Sequence, residues 1–334
     1  MTALPRIGLI LTGGTIDSVG TDRLDLAWYI EASKRLGDGE LIAQVPELAR
    51  IATVREIPFR RLLSHALVDK DWLDLLRTIH SIFDRNEADG IVITHGTNTL
   101  EETAYFLNLT LKTDKPVVIV GSMRPSSAIS ADGPLNIVNA VRVAAAPASR
   151  GRGCLVVMND TIFNGRDVTK NSTYRVQAFV SRDVGPLGFS DADGKVIYYH
   201  WPDRKHTVET EFDVRAAPSL PRVDVVLSYV GADGAMIDAA VNAGAKGIVS
   251  AATGAGRPTP LEDEALDRLY AERRVVMCLS SRVASGRVVR SPGLARRGFV
   301  AADNLQPWKA RILLSLALAK TANADEIQRM FDTY

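Results

Sequence analysis

Four clusters in this chain carry side chains able to do chemistry, and two of them end strand-like runs. Ile7-Gly8-Leu9-Ile10-Leu11 leads into Thr12-Gly13-Gly14-Thr15, where two glycines let backbone approach a ligand and two hydroxyls stand beside it. Ile91-Val92-Ile93 leads into Thr94-His95-Gly96-Thr97-Asn98-Thr99, a crowd of polar groups where packing has no need of them. A third cluster runs from Asn159-Asp160-Thr161 through Asn164-Gly165-Arg166-Asp167-Val168-Thr169-Lys170. A fourth joins Gly121-Ser122-Met123-Arg124-Pro125 to Ser130-Ala131-Asp132-Gly133-Pro134. A threonine hydroxyl attacks a carbonyl carbon well only when a neighbour takes its proton. A lysine buried beside such a hydroxyl loses its charge more easily and becomes that neighbour. Lys170 is either such a base or a solvated loop lysine, and a strand followed by a Gly-Gly turn is by itself a common α/β connection. His95 reads better as a hydrogen-bonded turn histidine than as a base. Arg124 is placed to pair with an acid, and Asp132 to cap a helix starting near Pro134.

Other chemistries find little support. The five histidines, His65, His80, His95, His200 and His206, lack metal-ligand spacing, and neither glycine-rich turn matches a phosphate loop or a dinucleotide fingerprint. Cys154 and Cys278 sit in apolar runs and read as buried free thiols. A net charge of +1 over 334 residues suggests neither a nucleic acid nor an anionic membrane as partner. No stretch is apolar enough to span a bilayer, and Met1 to Pro5 runs directly into the first strand, so a cytoplasmic protein is expected.

The elements that must hold these residues alternate. Strands are expected at 7–12, 51–60, 90–94, 117–121 and 153–158, with helices at 38–45, 69–84, 98–111 and 132–147, which predicts a mostly parallel sheet flanked by helices. Residues 161–200 read as a hairpin addition. The proline-bearing stretch 201–222 reads as a linker between a first domain, 1–200, and a second, 223–334. In the second the rhythm resumes: strands 223–229, 247–250 and 275–280, helices 233–243 and 260–273, then terminal helices at 306–319 and 323–333. Asn304 is expected to cap the first terminal helix, with Pro307 in its first turn. The fold class is therefore α/β, with a larger N-terminal and a smaller C-terminal domain.

Taken together, the motifs resemble those of the bacterial L-asparaginase/glutaminase family, the threonine amidohydrolases. The likeness rests on Thr12-Gly13-Gly14-Thr15-Ile16, on Thr94-His95-Gly96-Thr97 with Glu101-Glu102-Thr103-Ala104-Tyr105, on the 121–125 and 130–134 stretches, and on Val157-Met158-Asn159-Asp160 through Lys170. Gly185-Pro186-Leu187-Gly188 and Ser280-Ser281-Arg282-Val283 extend it over nearly the whole chain. The resemblance implies hydrolysis of a side-chain amide without metal or cofactor. It implies a homodimer or homotetramer with the active site near a subunit interface. By residue, it makes Thr15 the nucleophile, Tyr29 its activator, Thr97 and Lys170 the proton-handling pair, and Ser64 a contact to the substrate carboxylate. Gly14, Gly96, Asn98 and Ser122 complete the expected binding set.

The chain departs from the family at several points. Asn98 stands where the family has an aspartate that grips the substrate's α-ammonium. Ala255 stands near the place of a neighbour-supplied asparagine, and between Arg282 and Phe299 there is no acid but there are Arg287, Arg290, Arg296 and Arg297. His65 follows Ser64 where glutamine or glutamate is frequent. Three readings stay open, the first two being an L-asparaginase in which another acid such as Asp17 substitutes, and a relative whose amide substrate lacks a free α-ammonium, such as succinamate or an N-substituted asparagine. A weakly active amino-acid-binding relative is the third, from another class.

Overall fold

A computed structural model of the chain describes residues 3–272 and 274–334. Met1 and Thr2 of the expected first domain, and Arg273 at the end of the expected helix 260–273, lie outside the described residues. The chain divides into two compact units at Glu209 and Thr210, within the 201–222 stretch.

The strands of the first unit are β1 (Arg6–Leu11), β2 (Thr53–Pro58), β3 (Gly90–Thr94), β4 (Val117–Val120), β5 (Cys154–Met158), β6 (Thr161–Asn164), β7 (Thr169–Lys170), β8 (Phe179–Val180), β9 (Gly188–Ser190) and β10 (Val196–Tyr198). Eight of them form one sheet in the order β10-β9-β6-β5-β4-β3-β1-β2. From β2 to β5 the pairing is parallel, and from β5 to β10 it is antiparallel. The central strands are buried throughout because helices cover both faces, which suits their run of Val and Ile. The β5–β6 hairpin turns through Asn159 and Asp160, whose φ values of 49° and 63° give the left-handed pair such two-residue turns require. That fixes the Asn159-Asp160 part of the third cluster as a turn.

Three helices pack on this sheet: α1 (Asp69–Asp84), α2 (Leu100–Thr110) and α3 (Gly133–Ala145). α1 buries Trp72, Leu73, Leu76, Ile79 and Phe83 along one side, and the Asp71 carboxylate accepts the Val68 N–H at its start, 2.9 Å away. α3 contributes Ile137, Val141 and Ala144 to a core shared with Leu9, Val92, Val118 and Leu155. The expected helix 38–45 is a correction. Gly39 takes φ 79° and Pro46 follows closely, so the segment makes one turn, Glu40–Ala43, and then a 3-10 turn, Pro46–Arg50. Asp132 also differs from expectation. It stands at the cap position of α3, but its carboxylate accepts the Met123 and Arg124 N–H groups instead. The Arg124 guanidinium donates to the Ser130 carbonyl rather than pairing with an acid.

The second unit holds a parallel sheet of β11 (Val223–Leu227), β12 (Gly247–Ala252), β13 (Val276–Ser281) and β14 (Val300–Ala301), in that order. Its helices are α4 (Ala235–Asn242), α5 (Pro260–Ala271), α6 (Pro307–Leu318) and α7 (Ala324–Thr333). The core gathers Ile237, Ile248, Leu266, Leu269, Met277 and Phe299. α6 starts with Pro307 as its first residue and Gln306, not Asn304, at the cap position. The short helix Pro292–Arg296 and strand β14 were not anticipated; both are too brief to show a period. Three arginines of the acid-free stretch 283–298 find acids elsewhere in this unit: Arg287 with Asp303, Arg290 with Asp325, and Arg297 with Asp263 and Asp267.

Among the described residues, no helix is long and apolar enough to cross a membrane, and no group of three or more His, Cys, Asp or Glu side chains is placed to hold a metal ion.

Candidate active site

Strand order 2-1-3-4-5 makes the boundary between β1 and β3 the place where the chain's crossovers part to opposite sides. In such sheets a crevice opens there, beyond the carboxyl ends of the strands. The turns after β1 and β3 are Thr12–Thr15 and His95–Thr99, so the topology itself brings the two threonine clusters together. The Thr12 hydroxyl donates to the Thr94 carbonyl over 2.6 Å, tying one turn to the other. Gly14 takes φ 117°, a conformation that side-chain-bearing residues rarely adopt. A Cβ on Gly96 would stand 2.7 Å from the Ser64 hydroxyl oxygen, so that turn too must be bare for the 61–64 segment to close over it.

His95 anchors the second turn. It is buried, and burial lowers its pKa to about 4, so the ring is neutral. Its Nδ1 lies 2.8 Å from the Gly96 carbonyl, which can only accept, so Nδ1 carries the proton. Nε2 then accepts the Thr103 hydroxyl at 2.9 Å, and the Thr103 oxygen accepts the Trp72 indole N–H at 2.8 Å. This is a satisfied buried chain reaching from α1 to the turn, and it gives His95 a structural place away from the cavity wall.

The cavity beyond these turns measures about 250 Å³ and is lined by residues that include Gly14, Thr15, Tyr29, Ser64, Gly96, Thr97, Asn98 and Lys170. The Thr15 hydroxyl lies 2.9 Å from the Tyr29 hydroxyl. Tyr29 begins the helical turn Tyr29–Ala32, in an excursion closed by pairing of Ser18–Val19 with Lys34–Arg35. Lys170 donates from Nζ to the Thr97 hydroxyl at 2.8 Å and to the Asn98 side-chain oxygen at 3.4 Å. β7 carries Lys170 to this point, opposite Phe179 in β8. Burial lowers the Lys170 pKa, and the Glu101 carboxylate opposes that shift. Burial raises the Tyr29 pKa, against the hydrogen bond from Thr15. The hydroxyl of Ser64 is buried and makes no hydrogen bond among the described residues. The backbone N–H groups of Thr15 and Thr97 likewise have no partner among the described residues and remain free to donate.

Ser122 is the expected site residue that the structure keeps apart. It is fully buried, and its hydroxyl donates to the Arg124 carbonyl, while its neighbour Met123 reaches the cavity. Asp17 is not on the cavity wall either. It is buried beside Arg35 at 3.9 Å, so it does not stand in for a carboxylate at position 98. Tyr174, Thr173 and Ile30 line the cavity and were missed, since nothing in their local sequence marks them.

Comparison with known proteins identifies the family. The family profile described as "Asparaginase, N-terminal" matches residues 6–204, and "Glutaminase/Asparaginase C-terminal domain" matches 222–331. The chain is 44% identical to L-asparaginase 2 of Escherichia coli, over 99% of this chain and 94% of that protein. It is 42% identical to glutaminase-asparaginase of Pseudomonas fluorescens, over 100% and 91%. A solved structure titled probable cytoplasmic L-asparaginase, from Campylobacter jejuni, superposes with a TM-score of 0.89 at 40% identity, covering 99% of this chain and all of that one. With both family domains matched in order and relatives alike along their full length, the chain belongs to the asparaginase/glutaminase family.

Proposed function

We propose that the protein hydrolyses the side-chain amide of L-asparagine to L-aspartate and ammonia, with Thr15 as nucleophile. The observation that carries this reading is that a hydroxyl–hydroxyl pair, Thr15 with Tyr29 at 2.9 Å, and a hydroxyl–amine pair, Thr97 with Lys170 at 2.8 Å, face one cavity. The Thr15 oxygen attacks the amide carbon, and its proton passes to the Tyr29 oxygen. With its own proton held more tightly by burial, Tyr29 serves as a neutral relay that gives a proton onward as it takes one. Free N–H groups at Thr15 and Thr97 supply donors for the developing oxyanion. The C–N bond breaks, ammonia leaves with a returned proton, and an ester on Thr15 remains. Neutral Lys170, acting through Thr97, takes a proton from the water that attacks this ester, and the proton returns to the Thr15 oxygen as the ester C–O bond breaks and L-aspartate leaves. The unpartnered Ser64 hydroxyl faces the place of the substrate carboxylate, and Gly14, Gly96 and Asn98 complete the wall.

One observation favours a second reading of the substrate. Among the described residues lining the cavity none is Asp or Glu, and Asn98, whose side-chain oxygen accepts from Lys170, brings no negative charge to the wall. Such a wall suits an amide without an α-ammonium, such as succinamate. Ammonia release at neutral pH from L-asparagine, D-asparagine, L-glutamine and succinamate, with Thr15→Ala as blank, tests both. L-asparagine as the best substrate supports the first reading, and succinamate as the best supports the second. No release from any of them refutes both.

The same reading carries an assembly of identical subunits, a dimer or tetramer with the cavity near an interface, which family membership supports and light scattering in solution tests. It also places the enzyme in the cytoplasm, which two free buried cysteines suit. A relative 43% identical, from Haemophilus influenzae, is named a probable periplasmic L-asparaginase. Cell fractionation decides between the two compartments.

A further inference from the structure

Beside Lys170, and not on the cavity wall, stands a carboxylate that the mechanism above does not use. Glu101, in the first turn of α2, is buried (6% exposed). Its Oε1 accepts the main-chain N–H of Lys170 at 3.3 Å. Its Oε2 is buried with no hydrogen-bond partner among the described residues. A buried carboxylate oxygen without a donor is costly unless a positive charge lies near. The facing groups identify that charge. Around Lys170 stand Thr97 and Asn98 from the turn after β3, Phe179 from β8, and Tyr29, Tyr174 and His65 on the cavity wall, none of which carries a carboxylate. Asp167, earlier on the same loop, is paired with Arg166 at 2.9 Å.

We propose that Glu101 is a positioning residue for the reaction: it fixes the Lys170 main chain against Thr97 and serves as the buried counter-charge to the Lys170 ammonium. With residue 98 uncharged, this duty falls to a carboxylate outside the cavity, where it cannot hold the substrate. The electrostatics agree, since the charge that acts on Lys170 is that of Glu101. The consequence is a compromise. Burial pushes Lys170 toward the neutral base, and Glu101 pulls it back, which sets the pH above which the enzyme works.

The proposal rests on Lys170 being the base, and the test separates the two. kcat/KM for L-asparagine, or for succinamate if that is the better substrate, is measured against pH in the wild type, Glu101→Gln, Glu101→Asp and Lys170→Met. Glutamine keeps the size and the acceptor but removes the charge, so the acid-side limb moves to lower pH by about one unit or more. A purely structural role would lower the plateau and leave the limb in place, and that result overturns the proposal. If Glu101→Gln fails to fold, Glu101→Asp is read instead. Its retracted charge moves the limb the same way by less, and an unmoved limb again overturns the proposal. Lys170→Met is expected to lose activity; if it keeps both activity and the wild-type limb, the reading of Lys170 falls, and the role of Glu101 with it.

Discussion

A Cβ on Gly14 would lie 2.6 Å from the Cα of Gly96, so the turns after β1 and β3 touch backbone to backbone. Contact that close brings Thr15 and Thr97 to one cavity and leaves no room for a side chain at Gly14, while Ser64 leaves none at Gly96. Gly14→Ala is expected to combine this clash with the strain of φ 117°, together about 1–3 kcal/mol or more, and to abolish most activity. Gly39→Ala is the control. It also has positive φ, at 79°, but nothing stands within 4 Å of the added carbon, so it should cost about 1 kcal/mol and leave activity intact. Thermal melts with ammonia assays check both.

Thr97 and Lys170 should behave as a unit. Thr97→Val and Lys170→Met each break the 2.8 Å bond between them and should each lower kcat by roughly 10²- to 10⁴-fold. The double variant should be no slower than the worse single, because either loss disables the pair. Multiplied losses would show that the two act independently.

Tyr29→Phe removes the hydroxyl that meets Thr15 at 2.9 Å and keeps the ring. A fall in kcat of about 10²-fold, with KM little changed, is expected if Tyr29 acts on the proton rather than on substrate affinity. A rise in KM alone would make the ring a mere wall of the cavity.

His95 makes stability depend on pH. Its folded pKa, near 4, lies below the ordinary 6.5. Between those values the unfolded chain binds the proton and the folded one does not. The stability is therefore fully present above pH 6.5 and is lost as pH falls toward 4, by about 3 kcal/mol over the whole window. Urea unfolding at pH 7 and pH 4.5 should show a larger drop for the wild type than for His95→Gln. Thr103→Val should cost about 1–3 kcal/mol for each group it orphans, His95 Nε2 and the Trp72 N–H, and loosen the Gly96 turn.

The sequence by itself determined what depends on near neighbours. The apolar runs at 90–94 and 117–120 and the amphipathic period of 69–84 read directly as strands and a helix, because burial on one or both faces imposes those patterns. The glycine turns announced close backbone approach for the same local reason. Tertiary structure decided which side chains meet. Lys170 reaches Thr97 across 73 positions, and no local pattern separates a lysine so placed from a solvated one. Ser122 turned inward to donate to the Arg124 carbonyl and the Asp132 carboxylate turned back to the Met123 and Arg124 N–H groups, because buried polar groups had to find partners. Glu101 reads in the sequence only as part of a family motif and as an acid in a helix's first turn, where acids are ordinary, and gains its meaning from the strand that the fold lays against it.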